Sequence, residues 1–173
     1  QWMATDFTRE RILNADATTV SVGHYEGGVY NNYWVLIFSY PENSHTEDYR
    51  QEVLDLVNAQ RAKYGLTALE MGDDNLTAAA QHRAEEIATV NSHVRPNGSK
   101  WYTVLSEYGV TDAASGENAA WGSVSPEEVV NAWMNSEGHR ANILNPEARK
   151  MSVGYYYNSN STWGHQWIQI FTK

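Results

Sequence analysis

Three short motifs carry the side chains of this chain that are best suited to chemistry. They are SHVRPNG at 92–98, GEN at 116–118 and NSEGHR at 135–140. Together they supply two imidazoles and a carboxylate, from His93, His139 and Glu117. Two neutral imidazoles and a carboxylate can bind Zn²⁺ or a similar divalent cation and leave a position open for water. The same groups can instead hydrogen-bond one another and hold the loops around a cleft.

Catalysis is the more demanding interpretation of these motifs. A carboxylate beside a histidine raises the pKa of the imidazole and fixes its tautomer, which could support hydrolysis. The sequence has no H-E-x-x-H helix motif and no Ser-His-Asp arrangement that would favour such chemistry. It therefore favours a structural or binding role over a metal site, and a metal site over an enzyme.

The composition narrows the class of protein further. The chain has 173 residues, a formal net charge of −9 and no cysteine. The acidic surplus disfavours a nucleic-acid partner, and the lack of cysteine excludes disulfides and thiolate zinc sites. The apolar stretches are far too short to span a bilayer, so no transmembrane segment is expected.

The most informative pattern along the chain is an internal repeat. With a constant offset of 131 residues, segment 2–25 matches segment 133–156. After a shift of two residues, 34–38 matches 167–171. The matches include Trp2 with Trp133, Ile12-Leu13-Asn14 with Ile143-Leu144-Asn145, and Val22-Gly23 with Val153-Gly154. The opening of the chain is therefore interpreted as a second copy of its end.

This repeat predicts two structural parts. Residues 1–44 are a degenerate copy of the C-terminal half of a domain plus a linker, and residues 45–173 form the complete domain. The junction is expected within 41–45 (PENSH), which is rich in turn-forming residues. We expect further sequence to precede the copy, so that the whole protein carries two tandem domains.

The copy keeps the framework of the repeat without its histidine. Phe7-Thr8 stand where the complete domain has Gly138-His139, so any ligand chemistry is expected in the complete domain. Segments 19–25 and 33–38 should form a β-hairpin with apolar side chains that need cover. A homodimer through this hairpin is therefore a candidate assembly.

The complete domain is predicted to consist of helices followed by strands. Residues 44–47 fit a capping box, Asp73 or Asp74 caps a second helix running to about residue 90, and Ser125 caps a later one. A short helix is expected within 101–108. Two strands, 151–157 and 165–171, follow with a polar loop between them.

The order and spacing of these motifs resemble the CAP superfamily of cysteine-rich secretory, antigen 5 and pathogenesis-related 1 proteins, also called the SCP domain. The chain looks most like the short, cysteine-free bacterial branch. The resemblance implies an α+β fold, a three-layer α-β-α sandwich with a small antiparallel sheet. It covers about residues 47–171 and rests on LVN at 56–58 with Arg61, SHVRP at 92–96, GEN at 116–118, WMNSEGHR at 133–140 and VGY at 153–155.

The resemblance also implies a site. Family members with a full set place two histidines and two glutamates around a central cleft, and His93, Glu117 and His139 carry over to three of these places. The fourth place, three residues after the helix tryptophan, falls on Ser136, and the neighbouring Glu137 would point elsewhere on a helix. Metal ligation or catalysis would fall to the first three residues. The candidate cleft residues are His93, Glu117, Asn118, Ser136 and His139.

The leading functional hypothesis is a secreted or surface-attached module that binds a lipid, a peptide or a cell-wall component in this cleft. One alternative is a metal-dependent hydrolase that uses the His/Glu cluster. Another is a structural tandem-repeat surface protein with an empty cleft. A stoichiometric divalent metal would distinguish the hydrolase. In the structural array, replacement of both cleft histidines would change nothing but stability.

Overall fold

The computed structural model describes residues 2–4, 9, 12–13, 19–39 and 46–173, the side chains of 46–48 excepted. The chain divides into two compact units, Gln1–Ser44 and His45–Lys173, which we call the first and the second unit. The predicted junction 41–45, with the first two residues of the predicted capping box, lies outside the described residues.

The described part of the first unit contains a β-hairpin. Its strands are β1 (Thr19–Glu26) and β2 (Asn32–Ser39), which pair antiparallel. This confirms the hairpin predicted for segments 19–25 and 33–38. All of β1 and most of β2 is exposed, on both faces of the hairpin.

The described part of the second unit contains five helices and a four-stranded sheet. The helices are α1 (Thr46–Lys63), α2 (Asp74–Ile87), α3 (Thr103–Glu107), α4 (Pro126–Asn135) and α5 (Glu137–Ile143). The strands are β3 (Glu70–Met71), β4 (Ala114–Trp121), β5 (Lys150–Tyr157) and β6 (His165–Thr172). None of the described helices combines the length and the apolar character that a membrane span requires.

Local signals place the ends of the helices close to where the sequence predicts them. The side chain of Asp73 accepts a hydrogen bond from the backbone N–H of Leu76 at 2.9 Å and so caps α2. Ser125 caps α4 in the same way, with Pro126 in the first turn. After α1, Gly65 takes a φ of +69°, a left-handed conformation that ends a helix without strain.

The sheet has the strand order β3-β5-β6-β4 and lies between two helical layers. One core cluster joins α1, α4 and α5 to one face of the sheet, with Trp133, Trp167 and Phe171 at its centre. The other cluster joins α2 and α3 to the opposite face, around Ile168 and Ile170. This is the predicted three-layer α-β-α sandwich of the α+β class.

Three details differ from the sequence prediction. The Gly116-Glu117-Asn118 motif lies in β4. The sequence did not predict this strand, because its residues are mostly small and polar. The two-residue β3 pairs with β5 in parallel, whereas the other pairings in this sheet are antiparallel. The segment with His139 is a separate helix, because Ser136 takes an extended conformation (φ −101°, ψ 124°) between α4 and α5.

Candidate functional site

Glu117 is a buried carboxylate that is paired with a buried cation. It lies in β4, on the side of the sheet that α2 covers. There Arg83 donates its Nε to Oε2 of Glu117 at 2.9 Å and a terminal nitrogen to Oε1 at 3.2 Å. Both side chains are 0% exposed. Two bonds from one guanidinium to one carboxylate are strong and directional, so the carboxylate is fixed and its charge is balanced.

Arg83 continues this network into the loop that carries His93. It donates to Oε2 of Glu86 at 2.6 Å and to the backbone carbonyl of Ser92 at 3.2 Å. Burial opposes its charge, but the hydrogen bonds that Arg83 donates to Glu117 and Glu86 outweigh burial and raise the pKa of Arg83. Glu86 also accepts from Arg95, which is buried and reaches Glu107 on α3. The loop that carries His93 is therefore held in place by a network in which arginine and glutamate side chains alternate.

His93 is an exposed member of this network. Its Nδ1 lies 2.7 Å from Oε1 of Glu117, while 54% of its side chain is exposed. The hydrogen bond to Glu117 is the main reason why the pKa of His93 is raised. Because an ionised carboxylate only accepts, Nδ1 is assigned as the donor, which leaves Nε2 as the ring nitrogen for a ligand. That nitrogen accepts in the neutral ring and donates in the protonated one.

His139 is the second imidazole of the site and has the opposite titration tendency. It is half-buried, and burial is the main reason why its pKa is lowered; the nearby His93 lowers the pKa of His139 further. The two rings are therefore close enough to influence each other. The shifts have opposite directions, so His93 is expected to keep its proton to a higher pH than His139.

Asn118 fixes the backbone that carries His139. It is fully buried and donates its Nδ2 to the carbonyl of His139 at 3.1 Å and to Oε1 of Gln169 at 3.0 Å. Its Oδ1 accepts from Nδ2 of Asn142 at 2.9 Å. A Cβ at Gly116 would stand 2.7 Å from Oδ1 of Asn142, so glycine leaves room for this network.

The fourth predicted place is not joined to the other three. Ser136 caps neither adjoining helix with its side chain, and Glu137 is the exposed first residue of α5. Within the described residues, no hydrogen bond or ion pair connects either side chain to His93 or Glu117. The structure thus unites His93, Glu117, Asn118 and the backbone of His139, and leaves Ser136 at the helix junction.

The arrangement does not fit the three-ligand zinc site considered from the sequence. Both oxygens of Glu117 already bind Arg83, and one of them also binds His93, so a divalent cation would compete with a fixed cation for that carboxylate. Within the parts of the chain that the structure describes, no three His, Cys, Asp or Glu side chains are placed to hold a metal ion.

Sequence reasoning missed two residues of the site, Arg83 and Asn142. A signal for Arg83 was present: it stands seven residues after Leu76 and four after Ala79, on the apolar stripe that faces the core. A charged residue on such a stripe needs a buried partner of opposite charge. Asn142 had no comparable signal, because its partners come from another element.

This fold and this site place the chain in a known class of proteins. The model of the cysteine-rich secretory protein family, CAP, matches residues 54–171, a range that includes all three site motifs. The chain belongs to this family.

Two curated relatives agree with that assignment. The protein YkwD of Bacillus subtilis is 39% identical over 127 residues, which are 72% of this chain and 49% of YkwD. Pathogenesis-related protein 1C of Nicotiana tabacum is 30% identical over 124 residues, which are 70% of this chain and 63% of that protein. The chain thus spans about half the length of YkwD.

Solved structures share the fold. An extracellular protein containing an SCP domain from Bacillus anthracis has a TM-score of 0.66 and 25% identity, covering 81% of this chain and 47% of its own. An outer surface protein of Borrelia burgdorferi also has a TM-score of 0.66, with 22% identity, covering 76% of this chain and 96% of its own. The second likeness shows the fold alone.

Proposed function

We propose that the second unit is an extracellular binding module whose cleft captures a hydrogen-bond acceptor of a peptide or cell-wall component. The observation that carries this proposal is the orientation of His93. Its Nδ1 is held by a buried carboxylate, and more than half of its side chain remains exposed. A fixed, exposed imidazole costs little conformational entropy when a ligand binds it.

The charge of the site favours a carbonyl or carboxylate group as the feature that is recognised. The raised pKa of His93 extends the range of pH in which its Nε2 donates, and Arg83, which Glu117 shares with Glu86, offsets part of the negative charge beneath the ring. We assign a second polar contact to His139, whose pKa is lowered mainly by burial. A carboxylate of a peptide or of a wall component suits this pair because it accepts bonds and carries the opposite charge.

The metal-dependent hydrolase is the second candidate from the sequence, and the geometry supports it less well. A hydrolase of that kind needs a cation held by the His/Glu cluster with a water in an open position. The carboxylate that would serve as ligand or base is instead bound to Arg83. The structural array is the third candidate, and the exposed His93 is the feature that argues for binding over it.

The extracellular setting is inferred from relatives. The Bacillus anthracis protein that shares the fold is an extracellular protein. We propose the same setting for this chain. The absence of cysteine is compatible with a location inside or outside the cell, so it does not support the extracellular setting.

Calorimetric titration tests the binding function. The probes are a soluble disaccharide-tetrapeptide from digested peptidoglycan, zinc chloride, and vesicles of phosphatidylglycerol with phosphatidylcholine. We expect saturable binding of the disaccharide-tetrapeptide, lost in a His93→Ala/His139→Ala double variant. His24→Ala, a histidine of the first unit, is the matched control and should bind like the parent.

Each other outcome contradicts the proposal in a distinct way. One-to-one binding of zinc that the double variant abolishes would favour the metal site. Binding of vesicles alone would favour a lipid ligand. If no probe binds while all variants stay folded, the structural array is the better hypothesis. The predicted homodimer through the hairpin is a separate proposal.

A further inference from the structure

The β1–β2 hairpin of the first unit has apolar side chains on both faces. On one face lie Val20, Val22 and Trp34, and on the other lie Val35 and Ile37. Val22 is 60% exposed and Ile37 63%. A strand pair that is apolar on both faces is typical of a sheet covered on both sides. An exposed surface of this kind marks an interaction site.

The pairing register of this hairpin is the same as that of β5–β6 in the second unit. With the offsets of 131 for β1 and 133 for β2, all eight residue pairs of the first hairpin fall on the eight pairs of the second. Gly23 opposite Val35 corresponds to Gly154 opposite Ile168, and His24 opposite Trp34 corresponds to Tyr155 opposite Trp167. The likeness in sequence is thus also a likeness in backbone pairing.

The second hairpin shows which elements cover such faces. The face with Met151, Val153 and Trp167 packs on α1 and α4. The face with Ile168 and Ile170 packs on α2 and α3. The corresponding positions of the first hairpin remain apolar, with Val20, Val22 and Trp34 on the former face and Val35 and Ile37 on the latter.

The close approach of α2 to the sheet requires a glycine at position 154. A Cβ on Gly154 would stand 2.0 Å from the backbone oxygen of Ala80 in α2, which no side chain can tolerate. Gly23 occupies the same register position, yet a Cβ there would meet no atom of the described residues within 4 Å. Among the residues that the structure describes, the first hairpin therefore has room for a helix backbone at Gly23 and no helix that fills it.

Other described residues of the first unit follow the same correspondence. The short 3-10 turn Trp2–Ala4 matches the end of α4, at positions 133–135. Arg9 and Ile12 are helical and match positions 140 and 143 of α5. The correspondence thus extends beyond the hairpin to the elements that precede it.

We propose that the β1–β2 hairpin is the sheet centre of a second CAP-type unit, covered on both faces by helical layers equivalent to residues 46–131. We assign these layers to polypeptide ahead of Gln1 in the same chain. The helix equivalent to α2 packs its backbone against Gly23. The helices equivalent to α1 and α4 pack on the face with Val20, Val22 and Trp34. The proposal concerns the first unit and is independent of the ligand of the second.

A fusion protein tests this proposal directly. Residues 46–131 are added in front of Gln1, because the offset of 131 makes Gln1 the successor of such a segment. The fusion carries Leu36→Gln, the residue found at the equivalent position 169, so that the added copy of Asn118 keeps its hydrogen-bond partner. Hydrogen exchange of peptides from 19–39 is compared between the fusion and the present chain.

We expect the hairpin amides to exchange at least about 100-fold more slowly in the fusion, because a covered sheet opens only with its unit. Gly23→Val in the fusion should abolish this protection. The same substitution in the present chain should leave exchange unchanged.

Two further measurements keep the proposal falsifiable. A reference fusion carries residues 132–173 in place of 1–44, which makes two complete second units. If the reference folds as two units and the test fusion leaves the hairpin unprotected, the proposal is wrong. Sedimentation of the present chain tests the homodimer: a dimer whose hairpin is already protected would show that a second copy covers it, and would overturn our assignment.

Discussion

At the scale of single residues, His93 and His139 should titrate on opposite sides of the ordinary histidine pKa, which is near 6.5. The bond to Glu117 raises the pKa of His93, and burial lowers that of His139. Proton NMR of the two ring signals against pH measures both values. Identical values for both rings would contradict the geometry described here.

The Glu117→Gln variant separates the causes of these shifts. A neutral amide removes the charge that favours protonated His93, so the pKa of His93 should fall towards its ordinary value or below it. The pKa of His139 should change less, because burial is its main cause. A His93 signal that titrates as in the parent would show that Glu117 does not control it.

The same shifts determine how stability depends on pH. The contribution of His93 is fully present below the ordinary histidine pKa and is lost as the pH rises through its raised pKa. The contribution of His139 to stability is present above the ordinary histidine pKa and is lost as the pH falls through its lowered pKa. Replacing His139 by alanine should therefore flatten the acid side of the stability profile in chemical denaturation.

The Arg83→Met substitution should be strongly destabilising. It leaves Glu117 as a buried carboxylate without its guanidinium partner, which typically costs about 3–5 kcal/mol. Urea unfolding measures the change. The double variant Arg83→Met/Glu117→Gln should lose clearly less than the sum of the single changes, since neither charge then lies unpaired. Additive losses would mean that the two side chains do not stabilise each other.

Much of the site could be predicted from sequence, and what could not has a physical reason. His93, Glu117 and His139 belong to local motifs, so their types and spacing identify them. Their partners come from other elements: Arg83 from α2 and Asn142 from α5. Only the packing of those helices on the sheet shows that Arg83 already neutralises the carboxylate, and this changes the chemistry that the motifs suggest.

At the scale of elements, the two equivalent glycines should respond differently to the same change. Gly154→Val places side-chain atoms where the backbone of α2 lies and should cost more than about 3 kcal/mol or prevent folding of the second unit. Gly23→Val meets no atom of the described residues and should change the free energy of unfolding by less than about 0.5 kcal/mol.

Near-ultraviolet circular dichroism shows whether the second unit keeps its packing in the two glycine variants, because Trp133 and Trp167 are buried in that unit. A Gly154→Val variant with the spectrum and stability of the parent would show that α2 does not approach the sheet so closely.

The elements themselves were predictable where their signals are local. Asp73 and Ser125 cap helices by side-chain bonds within three residues, and the β-hairpins combine short apolar strands with polar or glycine-containing loops. The strand β4 escaped prediction because its sequence, ASGENAAW, is poor in the branched and aromatic residues that favour strands. It is a strand because β6 pairs with it along its whole length.

At the scale of the whole molecule, the second unit should fold without the first. Both core clusters consist of residues from Val53 onward. A shortened chain of residues 46–173 should therefore unfold with a free energy within about 0.5 kcal/mol of the full chain, and it should bind less of a hydrophobic dye because the exposed hairpin is gone. A loss of several kcal/mol in urea unfolding would show that the first unit contributes to the core.

Neighbouring residues of β4 hold the two histidines of the cleft from opposite faces of one strand. Glu117 anchors the ring of His93, and Asn118 anchors the backbone of His139. The His93 ring and the backbone of His139 are therefore both tied to adjacent residues of one strand. A ligand that binds His93 would meet a ring already held in place, and its arrival would be limited by encounter at about 10⁵–10⁷ M⁻¹s⁻¹. Differences in affinity among ligands would then lie in their dissociation rates.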